Sequence, residues 1–342
     1  MKENRVVYFD WLRILATLAV VTIHCSVNDS LENKIVDVYY YISQWAVPVF
    51  VMISGALFLG KDISLSKLYK HSILRIVTAF VFWSVVYALW RYFVTHEKHS
   101  VKEVVLAIIR GNYHMWFLFI IVGLYLVVPI LNAIVANKRT AYYFVTLSFL
   151  FSFLIPQIIE VIGYKYTGPY LILGELLSNL RLDIVFGYSG YFIIGYLIKE
   201  MQIEKKLETY IYIFGLGGLV ITVFATAWLK KNNLQYSTFI DEMSVNVLLM
   251  AIAVFVFAKQ HLNKSFKNEK AKNRLSYLSK CTFGVYLVHP LIIDCLDELY
   301  GFINLSISPI LLVPLTTFIV FICSMIISAS LNKIPFVQKW LL

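Results

Sequence analysis

Read from the N-terminus, the chain alternates between long apolar runs and short polar segments that hold most of its charge. A bilayer-crossing helix needs about 20 predominantly apolar residues. Ten runs fit that length: 6–27, 36–60, 71–94, 114–136, 140–163, 182–198, 208–229, 243–260, 280–296 and 308–331. The stretch "VKEVVLAIIRGN" (102–113) is too short to span, and its apolar spacing predicts a helix lying at the outer surface. No internal repeat, low-complexity tract or long linker marks a second domain. The pattern predicts an all-α, polytopic integral membrane protein with about ten transmembrane helices. Residues 1–342 form a single expected domain with a core of about 5–331. The chain reaches Leu342 soon after the last expected span, so no extra soluble domain is expected.

Composition agrees with this reading. Of the 342 residues, 60% are hydrophobic and 15% charged, against roughly 45–50% and about 25% in soluble domains. The net charge of +10 is no sign of nucleic-acid binding, because the basic residues follow the loops. With the N-terminus inside, 20 Lys and Arg fall on the inner side and 9 on the outer, with Arg13 inside a span. The positive-inside rule then places both termini, and the basic stretch 259–280, in the cytoplasm of a multi-pass cell-membrane protein. The first run lacks a small-residue cleavage site, so it is expected to remain as a helix. Cys25, Cys281, Cys295 and Cys323 show no metal-ligand spacing and are expected to be packing residues. No metal site is expected.

Polar residues inside the spans carry the candidate chemistry, since an ionisable group at mid-bilayer costs about 2.5–3.5 kcal/mol on insertion scales. In "DWLRILATLAVVTIHC" (10–25), Arg13 and His24 are 11 residues apart. That is three turns plus ~20°, so they share one helix face and stand ~16 Å apart along it. Asp10 and Thr17 extend the same polar seam, with Asp10 placed to pair with Arg13. His24 is suited to proton transfer from a hydroxyl, whereas Arg13, always protonated, is suited to an anion or developing negative charge. Alone, Arg13 also fits a snorkelling anchor. In "VPVFVMISGALFLG" (47–60), Pro48 and Gly55 are expected to interrupt the helix, with Ser54–Gly55 favouring close helix approach. Lys67, Lys70, His71 and Arg75 form a basic collar at the start of the third span. His114, Trp116 and Tyr125 fit an interfacial aromatic belt. In "LSKCTFGVYLVHPLI" (278–292), His289 precedes Pro290 deep in a span, with Tyr286 one turn earlier. There the imidazole is expected to bond the broken backbone.

The first-span Arg and His, followed in order by "VPVFVMISGALF", "HMWFLFIIVGLYLVVPIL", "GYFIIGYLI" and "FGVYLVHPLI", resemble the membrane-bound acyltransferase 3 family over about residues 5 to 331. That resemblance implies transfer of an acyl group, usually acetyl, from cytoplasmic acyl-CoA to a hydroxyl of a sugar or other acceptor. It implies His24 in proton or acyl transfer, Arg13 positioning or stabilising it, and Asp10 as the acidic residue that often precedes the Arg. Arg75 matches the family's basic residue at the start of the third span. The second basic residue expected three positions earlier is Ser72 here, and Lys70, His71 or Lys67 stand nearby. Secondary candidates are Ser54, His114, Trp116, Tyr286 and His289.

The leading expectation is therefore an acyl-CoA-dependent membrane O-acyltransferase, with acetyl-CoA as donor substrate and no bound cofactor. Its expected partners are acyl-CoA, an extracytoplasmic or lipid-linked cell-envelope glycan and the lipid bilayer, with no nucleic acid. A homo-oligomer is left open. A transporter of polysaccharide or amino acid is the alternative of another class, although the inverted repeats of many carriers are not visible. A structural partner of a glycan synthase is a third reading.

Overall fold

The computed structural model describes residues 6–27, 34–94, 100–164, 172, 174–176, 179–180, 182–234, 237–263, 268–303 and 308–342. Lys2, Arg5, Lys98, Lys165, Arg181, Lys264 and Lys267 of the charge inventory lie outside them. The described residues are helical and contain no strand. All ten expected spans coincide with helices. Among the described residues, seven stretches are long and apolar enough to cross a membrane: 7–26, 36–58, 65–93, 101–135, 138–163, 205–231 and 309–331. Val245–His261 is a shorter apolar helix, and the two other expected spans lie within Leu182–Glu200 and Glu269–Ile303. The protein is an all-α, multi-pass membrane protein.

The chain forms two compact units, each assembled from separated stretches. Unit 1 takes 1–61, 128–279 and 307–317, and unit 2 takes 62–127, 280–306 and 318–342.

In unit 1, α1 (Val7–Ser26) packs against α2 (Lys34–Ile42) and α3 (Ala46–Phe58). Inside α1, Thr17, Thr22 and Ser26 return their hydroxyls to the carbonyls of residues 13, 18 and 22, at 2.7, 2.9 and 2.5 Å. Such self-satisfaction keeps hydroxyls tolerable in an apolar setting. The expected span 36–60 is not one helix. It breaks at Ser43–Trp45, ahead of Pro48. Pro48 sits in the first turn of α3, where a missing N–H costs nothing. Gly55 does not interrupt the helix either. A Cβ there would stand 1.8 Å from the Phe192 carbonyl oxygen, and one at Gly195 would stand 2.0 Å from that of Met52. The two glycines therefore bring Leu182–Glu200 backbone-to-backbone against α3. That partner helix departs from helical geometry at Gly187. Lys205–Lys231 packs on Val245–His261.

Polar side chains tie the ends of these helices. Lys259 Nζ donates to the carbonyls of Ile198, Lys199 and Met201 at 2.6, 2.9 and 2.5 Å, capping the helix that ends at Glu200. Buried Glu208 accepts from Tyr212 at 3.0 Å and Lys205 at 3.3 Å, and bonds His261 at 2.8 Å.

In unit 2, α4 (Leu74–Val94) is preceded by a π-helical turn, Leu68–Ile73. The surface helix α5 (Val101–Arg110) opens with a capping box between Ser100 and Glu103. None of its residues is buried, and Val101, Val105, Leu106 and Ile109 are exposed. Gly111, at φ 72°, turns the chain out of it. A core of Ala79, Trp83, Tyr87, Met115, Leu118, Leu287, Val288 and Leu342 holds the unit together. The expected span 280–296 is part of a longer helix, α6 (Glu269–Ile303), whose residues from 280 on belong to this unit. The basic stretch before it is thus helical from residue 269 rather than a loop. Asn268 accepts from the Lys270 amide at 2.9 Å, starting that helix as an N-cap does. Cys281 is buried and Cys25 and Cys323 half-buried, but Cys295 is exposed and so is not the packing residue expected.

Candidate functional site

The polar seam of α1 forms as its spacing predicts. Arg13 Nη1 lies 3.8 Å from Asp10 Oδ1 across one turn. The Asp10 side chain is 4% exposed and that of Arg13 30%. A carboxylate this deep needs a cationic partner, and a guanidinium held against it is not extended freely to the surface. Thr17 lies between Arg13 and His24 on the seam, but its hydroxyl is committed to the Arg13 carbonyl. His24 is half-buried in the last turn of α1. Ser54, on α3 of the same unit, donates to the Phe50 carbonyl at 3.0 Å, next to the tight crossing at Gly55. Its placement is that of a packing residue. At the start of α1, Tyr8 is buried, and its hydroxyl has no hydrogen-bond partner among the described residues. Sequence reasoning passed over it, because an aromatic at a span end is ordinary.

The remaining candidates lie in unit 2. Lys67, Lys70 and His71 are exposed on and beside the π-helical turn. Arg75 is also exposed, yet its Nη2 donates to the Leu342 carbonyl, and its guanidinium carbon is 5.9 Å from the centroid of the Phe283 ring. His114 corrects the belt expectation. It is 2% exposed and buried inside the unit, while Trp116 is 39% exposed and Tyr125 half-buried. The His114 ring centroid is 5.3 Å from those of Tyr87, Tyr286 and His289. Tyr286 donates its hydroxyl to the His114 carbonyl at 2.6 Å, and Tyr87 donates to the Leu287 carbonyl at 2.7 Å. Nothing local in sequence foretold Tyr87, whose carbonyl partner is 200 positions away.

His289 behaves as the sequence suggested. Pro290 has no N–H to give the carbonyl four residues back, which is that of Tyr286. The His289 Nδ1 takes that place at 2.8 Å, with the Val285 carbonyl at 3.2 Å. Carbonyls only accept, so Nδ1 carries the proton and Nε2 is the basic nitrogen of the neutral ring. The structure thus brings together Asp10 and Arg13 along one helix, and His114, Tyr286 and His289 in one cluster. It places the two groups in different units. Among the described residues, no group of three or more His, Cys, Asp or Glu is arranged to hold a metal.

Against protein-family models, residues 6–329 match an acyltransferase domain, that of the acyltransferase 3 family. The chain belongs to this family. Comparison with curated proteins gives no match, and neither does comparison with solved structures. The match takes in nearly the whole chain and both compact units. The protein is therefore a membrane acyltransferase. The α1 seam is suited to that chemistry, with an imidazole for proton transfer and a paired guanidinium for negative charge on one helix face.

Proposed function

We propose that the protein is an acyl-CoA-dependent O-acyltransferase of the cell membrane. It transfers an acyl group, in the first instance acetyl, from cytoplasmic acyl-CoA to a hydroxyl of a cell-envelope glycan or glycolipid. The Asp10–Arg13 pair on the helix face that carries His24 is the observation that supports this reading most directly. His24 removes the proton from the acceptor hydroxyl. Arg13, held by Asp10 and ~16 Å along the helix from His24, is an anion contact at another depth of the same face. The exposed Lys67, Lys70 and Arg75 supply positive charge for the phosphates of the donor, with His71 beside them. The excess of basic residues on one side of the sequence supports cytoplasmic termini.

The test is acyl transfer from labelled acetyl-CoA by purified protein in lipid nanodiscs, with release of free CoA as the second readout. Turnover that disappears in His24→Ala, with membrane insertion and folding unchanged, is the expected result. No turnover of acetyl-CoA or longer acyl-CoA by the wild type refutes the donor assignment.

A further inference from the structure

Three side chains on one side of α4 grip a single short stretch of main chain. Arg75 Nη2 donates to the main-chain oxygen of Leu342 and Trp83 Nε1 to the carbonyl of Leu341 at 3.2 Å, while the one Thr78 hydroxyl proton is shared among the carbonyls of Trp340, Leu74 and Arg75 at 2.8, 2.9 and 3.0 Å. The stretch follows the short helix Pro335–Trp340, whose last carbonyls have no partner inside the helix. Leu341 and Leu342 are 6% and 1% exposed, and Leu342 belongs to the core of unit 2. The tail is thus a packed part of that unit. Arg75 remains exposed in spite of this grip. A guanidinium carries five N–H donors in a rigid planar fork. Fixing one nitrogen on a carbonyl sets the plane and leaves the other donors to face an anion.

We propose that Trp340–Leu342 is a built part of the donor site and holds the Arg75 fork in the orientation that receives the donor's phosphates. Thr78 and Trp83 are then positioning residues, acting through the tail and Arg75. An unrestrained Arg surrenders side-chain freedom when it binds, whereas one already held surrenders less. The proposal rests on the acyl-CoA reading above and adds to it the element that orders the anion contact.

Calorimetric titration of CoA into the full-length protein in nanodiscs tests it, alongside steady-state transfer from acetyl-CoA. Arg75→Ala removes one charge-assisted contact, with an expected rise in Kd of about tenfold. Thr78→Val combined with Trp83→Phe releases the carbonyls at nearly constant volume. It is expected to weaken CoA several-fold and raise the KM for acetyl-CoA, with kcat and the acceptor KM unchanged. The triple variant is expected to bind no more weakly than Arg75→Ala alone, because the tail acts through Arg75. If the paired substitution does not fold, Thr78→Val alone carries the same test.

Unchanged CoA binding in the tail variants, or in Arg75→Ala, overturns the proposal and leaves the acyl-CoA reading standing. So does a triple variant in which the losses add. Absence of CoA binding by the wild type overturns both together.

Discussion

Two histidines, each inside an apolar helix, have opposite surroundings. His24 in unit 1 is half-buried on a polar face, in a helix that runs from Val7 to Ser26 without proline. His289 in unit 2 is completely buried, and one of its nitrogens replaces the backbone donor that Pro290 lacks. An imidazole in a membrane helix needs a reason, and the two reasons differ. At His289 the reason is local, a carbonyl left without its partner by the next residue. At His24 the helix contains no proline, and the other polar residues of that face are a buried aspartate paired with a half-buried arginine and a threonine bonded to its own backbone. The first arrangement is explained by the bond that Pro290 leaves open, whereas the case for the second rests on its place on the polar face of α1.

The largest effect expected from this contrast is in turnover. His24→Ala should lower acyl transfer by about 10²–10⁴-fold, the usual contribution of a general base, at unchanged thermal stability in detergent. A variant that keeps normal turnover would put His24 in the same class as His289. Arg13→Lys comes next. A snorkelling anchor needs only charge and stem length, so lysine would serve, but a planar fork is not replaced by an ammonium. A loss of at least about tenfold in kcat/KM is expected for loss of a charge-assisted contact, measured at equal membrane abundance.

The third prediction takes the contrast from the other side. His289→Ala should keep measurable turnover while costing about 1–3 kcal/mol of stability, the penalty for a buried carbonyl left unpaired. Adding Pro290→Ala returns an N–H to the Tyr286 carbonyl, so the double variant should regain most of that loss in thermal unfolding. No recovery would mean that the His289 bond is not a stand-in for the backbone. Complete inactivity of His289→Ala at unaltered stability would move His289 to the catalytic list.

The smallest effect sharpens the comparison by separating titrations. Burial pushes the Glu242 carboxyl up from its ordinary 4.5 to about 7. Its carbonyl accepts from the Tyr191 hydroxyl at 2.5 Å, in the segment before Val245–His261. A carboxyl whose folded value is raised holds its proton more tightly when folded. Its stabilising contribution is present below about 4.5 and is lost as pH rises through about 7. Glu242→Gln should flatten the stability of the protein across that window, seen as a melting temperature that no longer falls with pH there. A pH–rate profile measured in that background then reports the imidazole without the carboxyl.

Much of the fold was legible because the signals were periodic or compositional. Span length, the Asp10–Arg13 spacing and the His289–Pro290 pair each follow from residues within a few turns of one another. The misreadings arose where a partner lay far along the chain or a local rule had two outcomes. Pro48 looked like a break in a span, but it occupies a first turn and the break comes before it. His114 looked interfacial beside Trp116, yet Tyr87 and Tyr286, distant in sequence, enclose it. Arg75 was expected as a donor contact, and nothing near it in sequence pointed to its partner at Leu342, 267 positions away.

The sequence by itself determined that this is a helical membrane protein, where its spans lie, which helix carries the ion pair and that His289 bonds backbone freed by Pro290. These are consequences of hydropathy and of helical spacing, which act over one to five turns. Only the tertiary structure decided that the close approach expected at Gly55 is made with the helix of Gly195, that His114 is a core residue and that the last three residues hold α4. Those depend on which surfaces are brought together across hundreds of positions. Close packing fixes such partners by shape, which a linear pattern of apolar and polar residues does not encode.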